Sequence, residues 1–337
     1  MLHRNAVRKR SFIKLTAFIC LVLAIVALFM GCVYSPGTAA SEPIRVAYLP
    51  AVQSLPLFVA VEEGFFEEED LVVELERIES PNQIIDALIS GNVDAGAPSV
   101  AAGIVGIVET KNPGALKSYS LTCGTIGVLN DELVVAERST ISSIQDLKGK
   151  RLGHLPGVQF STMAKKILLE NNVSPNEVIF VELPMPNQLP SLSSGAVDAV
   201  LTLEPIGTIG NQKGTARVLV ANPMVRFVAD PWCGGAGVVS AHFINERPEE
   251  AQRFVKVMRK AIEKTNQDPE MRSYLVQYLN LPESIAVEVP LPLIISSQDL
   301  DEKTINAYQQ FVDTFFELEV IDQKPDVRDI LLEHTEE

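Results

Sequence analysis

Histidine and cysteine are scarce in this chain, and what there is of them is scattered. The four histidines, His3, His154, His242 and His334, stand far apart in the sequence. Neither they nor the four cysteines show the close spacing of a metal site, so no metal and no cofactor is expected. There is no Gly-x-Ser-x-Gly elbow, no phosphate-binding loop and no dinucleotide fingerprint, which leaves catalysis poorly supported. Positive charge is also short, with 28 Lys and Arg against 43 Asp and Glu, a net −15. Five of the basic residues (Arg4, Arg8, Lys9, Arg10 and Lys14) and none of the acidic ones lie in the first 31 positions, so the remainder carries −20. Such a balance repels nucleic acid and anionic lipid surfaces. Tryptophan occurs once, at Trp232.

What is present is apolar residues in quantity, 47% of 337, enough for a core in each of two domains. One unit occurs twice. Pro81-Asn82-Gln83 is followed after six residues by Ser90-Gly91-Asn92-Val93-Asp94-Ala95, and Pro186-Asn187-Gln188 after five by Ser194-Gly195-Ala196-Val197-Asp198-Ala199. Each copy reads as a helix capped by Asn, ended by a left-handed Gly, and followed by a short apolar strand of the kind buried on both faces of a parallel sheet. Ile84, Ile85, Leu88 and Ile89 recur at helical spacing. The repetition argues for two lobes of one α/β design, with a ligand between them.

Along the first half, strands are expected over 44–49, 72–75, 93–97 and 117–121, with helices between them. The alternation restarts with strands over 132–136, 151–154, 178–181, 197–201 and 217–220. Alternation of this kind argues for parallel sheets. A further strand over 238–243 would return the chain to the first lobe. Helices over 248–265, 269–279 and 301–316 then pack on that lobe. The expected organisation is residues 1–31 as an export signal, 32–43 as a flexible tether, 44–131 with 238–337 as the first lobe, and 132–237 as the second.

The amino terminus places basic Arg8 to Arg10 before an apolar run from Leu15 to Met30, the order of an export signal. Gly31-Cys32 resembles a bacterial lipoprotein cleavage site, which implies lipid on Cys32, although Phe29 and Met30 stand where that pattern has Leu and a small residue. Cleavage after Thr38-Ala39-Ala40 and retention as an uncleaved anchor are the alternatives. All three put the folded part outside the cytoplasm. Cys123 and Cys233 then remain in the folded part. Each lies next to an expected crossing between lobes, and they read either as a disulfide or as two free thiols.

Glu62-Glu63-Gly64-Phe65-Phe66, the Ser90 to Ala95 copy, Asp146-Leu147-Lys148-Gly149-Lys150-Arg151-Leu152-Gly153, and the Ser194 to Ala199 copy with Glu204-Pro205 occur in this order. Together they resemble the solute-binding proteins of bacterial ABC importers for nitrate, taurine, aliphatic sulfonates and thiamine pyrimidine precursors, over nearly all of residues 44–321. The resemblance implies an α/β fold of the periplasmic-binding-protein-like type II class: two Rossmann-like lobes, a two-strand hinge, and a ligand cleft between them. It further implies a monomeric, membrane-anchored lipoprotein that hands a small solute to the ABC permease subunits. Alternatives on the same fold are a sensor lipoprotein presenting its ligand to a receptor kinase, and an enzyme. Of the enzyme relatives, the eukaryotic pyrimidine synthase carries a cysteine-rich run that this chain lacks.

In open α/β sheets, ligands bind beyond the carboxyl ends of the strands. That rule selects residues 49–56, 97–100, 120–123, 155–162, 184–188 and 202–205, and the family's binding loops fall on the same positions. The candidate ligand-binding residues are Gln53, Ser54, Leu55, Pro98, Ser99, Ser120, Thr122, Gln159, Phe160, Ser161, Thr162, Asn187, Glu204 and Trp232. Free N–H groups at helix starts can hold an anion, and Ser54, Ser99, Ser161 and Thr162 can add hydroxyls; each hydroxyl equally fits simple helix capping. Trp232 and Phe160 read either as stacking surfaces or as core packing. Glu204 is the one charged side chain in these stretches. It either meets a cationic or donor edge of the ligand, such as an amino-sulfonate or an aminopyrimidine, or it caps a backbone or pairs with a basic residue from outside these loops.

Overall fold

The computed structural model describes residues 42–332. The expected signal, Cys32, most of the tether and His334 lie outside the described residues. Eleven strands form two sheets among the described residues. They are β1 (Ile44–Tyr48), β2 (Val73–Arg77), β3 (Ala95–Ala101), β4 (Leu116–Gly124), β5 (Asp131–Ala136), β6 (Arg151–His154), β7 (Ile179–Glu182), β8 (Ala199–Leu203), β9 (Ala216–Ala221), β10 (Trp232–Ser240) and β11 (Leu293–Ser296). One sheet runs β11-β4-β10-β3-β1-β2 and the other β7-β6-β8-β5-β9.

The alternating halves give parallel pairing, as their pattern predicts: β1 with β2 and β3, and β6 with β7 and β8. Antiparallel pairing enters at the two crossings, and again where β11 lies beside β4. The chain leaves the first sheet after β4, enters the second through β5, leaves it after β9, and returns through β10. Outgoing and returning segments lie side by side and must run in opposite directions, so β10 pairs antiparallel with β4 and β5 with β9. Asn222 staples the crossings together. Its Nδ2 donates to Thr125 O at 2.7 Å and Val128 O at 3.2 Å, and its Oδ1 accepts from Asn130 N at 2.9 Å. Cys123 on β4 and Cys233 on β10 are bonded to each other at the same place.

Both copies of the repeat are helix, left-handed glycine and strand. The helices are Pro81–Ile89 and Met185–Ser193, and Gly91 and Gly195 have φ of 72° and 71°. The Asn caps expected from the sequence are not made. Ser80 and Pro184 hold the cap positions, and Asn82 and Asn187 lie inside the first turns. The aspartates account for the motif. Asp94 Oδ2 accepts from Arg45 N at 2.8 Å and Asp198 Oδ2 from Arg151 N at 2.8 Å, each with the arginine's guanidinium added. In return, the Asp94 and Asp198 amides donate to the Arg45 and Arg151 carbonyls. Each aspartate thus ties the start of a central strand to its parallel neighbour. The repeat is a brace at the amino ends of the strands, opposite to their carboxyl ends.

Strand residues alternate between cores. Ile44, Val46 and Tyr48 face one cluster with helices Leu55–Glu62 and Pro248–Gln267, whereas Ala47 and Leu49 face another that continues into the second sheet through Leu133, Leu201 and Phe160. Burial on both faces is what parallel strands require.

Three expectations need correction. Residues 232–237 were expected in the second lobe, with the return crossing at 234–243; instead Trp232–Ser240 is a nine-residue strand of the six-stranded sheet. Glycines in this strand make room for aromatic neighbours. A Cβ on Gly234 would stand 2.0 Å from the Trp232 ring, and one on Gly237 would stand 2.3 Å from that of Tyr119. Residues 241–243 were expected to continue the strand; they begin helix Ala241–Glu246, capped by Ser240 Oγ accepting from Phe243 N. The first lobe's boundary at 131 falls inside the start of β5, because Asp131 already pairs with Leu203.

Candidate functional site

The carboxyl ends of the central strands of the two sheets converge on one enclosed cavity. Leu49 and Pro81 line it from one side, with Ser99 and Ala101 at the end of β3 and Gly234 and Gly235 of β10. Leu203 closes it from the end of β8, and Gln159 and Phe160 from the start of helix Val158–Glu170. Gln53, Asn130 and Trp232 complete the wall. The volume is about 20 Å³, room for about one water. No side chain of the wall is charged. A roomier depression of about 240 Å³ lies beside the first crossing, between Leu55, Val128, Arg272 and Leu293. It is aliphatic apart from Thr265, Asn266 and Arg272, and Arg272 already donates to the Val287 and Val289 carbonyls.

Five of the fourteen sequence candidates meet in the cavity: Gln53, Ser99, Gln159, Phe160 and Trp232. Others are engaged in holding the frame. Ser54 Oγ donates to Leu49 O at 2.7 Å and lies within hydrogen-bond distance of Ser99 Oγ at 2.8 Å, and Ser99 Oγ accepts from Leu49 N at 3.1 Å. Thr122 Oγ1 donates to Pro98 O at 2.6 Å, and Ser120 Oγ accepts from Gly237 N at 3.2 Å, which locks β4 to β3 and β10. Ser161 donates to Val158 O within its own helix. Leu55 and Thr162 are buried away from the wall, and Asn187 is exposed. Asn130 was missed. It stands at the end of the first crossing, and only the pairing of that crossing brings it to the cleft.

The polar groups of the wall are joined to the hinge. Asn222 Oδ1 accepts from Asn130 N, and Asn130 Oδ1 accepts from Gln53 Nε2 at 2.9 Å. Gln53 Oε1 and Trp232 Nε1 are buried without a hydrogen-bond partner in the structure, one an acceptor and the other a donor. Trp232 itself is 1% exposed and meets Phe311 edge-on, with centroids 5.5 Å apart. The ring packs as core against Phe311, and its N–H is left unpartnered on the cavity wall.

Glu204 lies at the end of β8 but outside the wall. Its Oε1 accepts from Thr208 Oγ1 at 2.9 Å and its Oε2 from Thr208 N at 3.3 Å, which is the capping alternative. Glu132 is its neighbour across the β5–β8 pair and sits against Gly207, where a Cβ would be 1.9 Å from Oε2. Asp131 Oδ2 accepts from Met224 N at 2.9 Å. None of the three forms a salt bridge among the described residues. Burial pushes all three carboxyls up, Asp131 to about 7, and mutual repulsion raises Glu132 further. Burial and mutual repulsion both favour the protonated form of the Glu132–Glu204 pair. No group of His, Cys, Asp and Glu among the described residues could hold a metal ion.

Two α/β sheets joined by an outgoing and a returning crossing, with the enclosed cavity at their facing strand ends, constitute the periplasmic-binding-protein fold. The chain belongs to the NMT1/THI5-like family, whose profile it matches over residues 51–272. It is similar to the "Putative aliphatic sulfonates-binding protein" of Bacillus subtilis (strain 168), with 25% identity over 325 residues, 92% of each chain. It is also similar to the 4-amino-5-hydroxymethyl-2-methylpyrimidine phosphate synthase of Candida albicans (strain WO-1), with 23% identity over 221 residues, 61% of this chain and 62% of the synthase. Among solved structures, the alkanesulfonate-binding protein SsuA from Xanthomonas axonopodis pv. citri, bound to MOPS, superposes with a TM-score of 0.70 at 19% identity, over 87% of this chain and 99% of that one.

Proposed function

We propose that this protein is the extracytoplasmic solute-binding component of an ABC importer, taking a small organic solute of the sulfonate type between its two sheets and presenting it to the permease. The observation that carries this reading is the enclosed, uncharged wall with a buried free donor on Trp232 and a buried free acceptor on Gln53. Buried polar groups almost always have a partner, and a solute seated in this cavity would complete both. The name of the Bacillus subtilis relative, similar from end to end, supports the sulfonate class. The synthase relative suggests a reaction instead. The wall, however, offers no imidazole, thiol or carboxylate to serve as base or nucleophile, and the chain spans only 62% of that enzyme.

The test is a thermal-shift panel of ethanesulfonate, 2-aminoethanesulfonate, nitrate and 4-aminopyrimidine. At about a hundredfold over its Kd, a true solute stabilises by about 2.7 kcal/mol, or a rise of roughly 5 °C or more in Tm for a domain of this size. No shift with either sulfonate would refute the sulfonate class. Glu204→Gln should bind as the parent does, because Glu204 is spent on Thr208.

Among the described residues no helix is long and apolar enough to cross a membrane. We propose attachment through the amino-terminal segment, with lipid on Cys32, on the strength of Gly31-Cys32 at the end of the apolar run. Cys32→Ser should move the protein from the membrane to the soluble fraction; unchanged fractionation would favour the uncleaved anchor.

A further inference from the structure

Gln159 is the second residue of helix Val158–Glu170 and is 2% exposed. Its side chain crosses the cleft. Oε1 accepts from Gly103 N at 2.8 Å, and Nε2 donates to Gly234 O at 2.9 Å. Gly103 lies in the first turn of the ten-residue helix Ala102–Lys111, where backbone N–H groups have no partner within the helix. Gly234 belongs to β10, so both partners come from the six-stranded sheet and its helices, whereas Gln159 follows β6 of the other. Beside this amide the wall carries the unpartnered Gln53 Oε1 and Trp232 Nε1, on side chains 2% and 1% exposed. Next to Gln159, Gly157 at φ 111° closes on Asn82 of the first lobe. A Cβ there would stand 2.2 Å from Asn82 Oδ1.

We propose that Gln159 is the specificity-determining latch of the cleft: its amide holds the two lobes together from the seat that the polar edge of a solute must take. This rests on the reading of the cleft as the solute site. With about 20 Å³ free, the cleft as it stands holds nothing larger than a water, and a solute that reaches Gly103 N–H and Gly234 O takes the place of the Gln159 amide. Its departure frees one donor, Gly103 N–H, and one acceptor, Gly234 O. With Trp232 and Gln53 the emptied wall then offers two donors and two acceptors and no charge. A solute that restores all four carries acceptor and donor groups close together. One with acceptors alone leaves Gly234 O and Gln53 Oε1 unpaired, a loss of about tenfold or more in affinity. Within the sulfonate class, the cleft therefore selects a solute with an amine beside its acid group over a simple anion.

The decisive variant is Gln159→Leu, of similar reach and without the amide. Small-angle scattering without any solute should show the wild type compact and Gln159→Leu shifted toward parted lobes. Gln159→Glu, which keeps an acceptor but cannot donate to Gly234 O, should shift the same way and serves if the leucine variant does not fold. Calorimetry with 2-aminoethanesulfonate should show about tenfold tighter binding to Gln159→Leu, because a competing internal group is gone. Ethanesulfonate should bind the wild type at least about tenfold more weakly than its amino analogue. Solute-free scattering curves that coincide for wild type and both variants would overturn the latch while leaving the solute site intact. Weaker binding to Gln159→Leu would overturn it too, since Gln159 would then be a direct solute contact.

Discussion

Replacing Cys123 and Cys233 together by alanine is expected to lower the unfolding free energy by about 3–4 kcal/mol. The bridge spans 110 residues of sequence, and that loop contains the whole second sheet, β5 through β9. In the chain-entropy account, closing a loop costs the unfolded chain freedom that grows with loop length, so a loop of this size lies at the upper end of the effect. β4 and β10 already pair in the native sheet, so the bridge acts mainly on the unfolded chain. It also fastens both crossings where they leave the first sheet, next to the Asn222 staple. Urea unfolding should give the same midpoint for the double variant and for the reduced wild type, both well below the oxidised wild type. An unchanged midpoint would mean that strand pairing alone fixes the hinge.

The second large effect concerns pH. Asp131, Glu132 and Glu204 are held above the ordinary carboxylate range by burial, so the folded protein keeps protons that the unfolded chain releases from about pH 4 upward. Their contribution to stability is full below about pH 4 and is lost as pH rises toward 7 and beyond. Carboxylates with lowered values, such as Asp198 beside Arg151, work in the opposite direction and lose their contribution as the solution becomes acid. Asp131→Asn isolates the first effect. The amide can still accept from Met224 N and carries no charge at any pH. It should leave stability nearly unchanged at pH 4 and raise it by about 2 kcal/mol at pH 8. A variant whose pH profile ran parallel to that of the wild type would show that Asp131 has found a compensating partner.

The repeat was legible in the sequence because helix, left-handed glycine and buried strand each leave a local trace. What the repeat does was less legible: its aspartates clasp arginines 49 and 47 residues away, and no local pattern reports that. The same limit applies to the cleft. Rules on strand ends found Gln53, Ser99, Gln159 and Phe160, yet Ser54, Ser120 and Thr122 obey those rules as well and are consumed by neighbouring strands. Which hydroxyl is free depends on cross-strand partners. β10 was hidden for a related reason. Its glycines carry no strand propensity, and the rings of Trp232 and Tyr119 that lie over them come from the packed sheet. Glu204 drew attention as the one charge in the binding stretches, but Thr208, one turn further along, already satisfies it.

That the cavity between the sheets is the solute site can be tested through Trp232, because the chain has no other tryptophan and this one lines the wall with its N–H unpaired. Calorimetry and tryptophan emission would be followed in one titration with 2-aminoethanesulfonate and ethanesulfonate. The account predicts that emission changes saturably, with the same Kd as the heat, for each compound that binds. A compound that binds by calorimetry while the Trp232 emission stays constant would place the site elsewhere and contradict it.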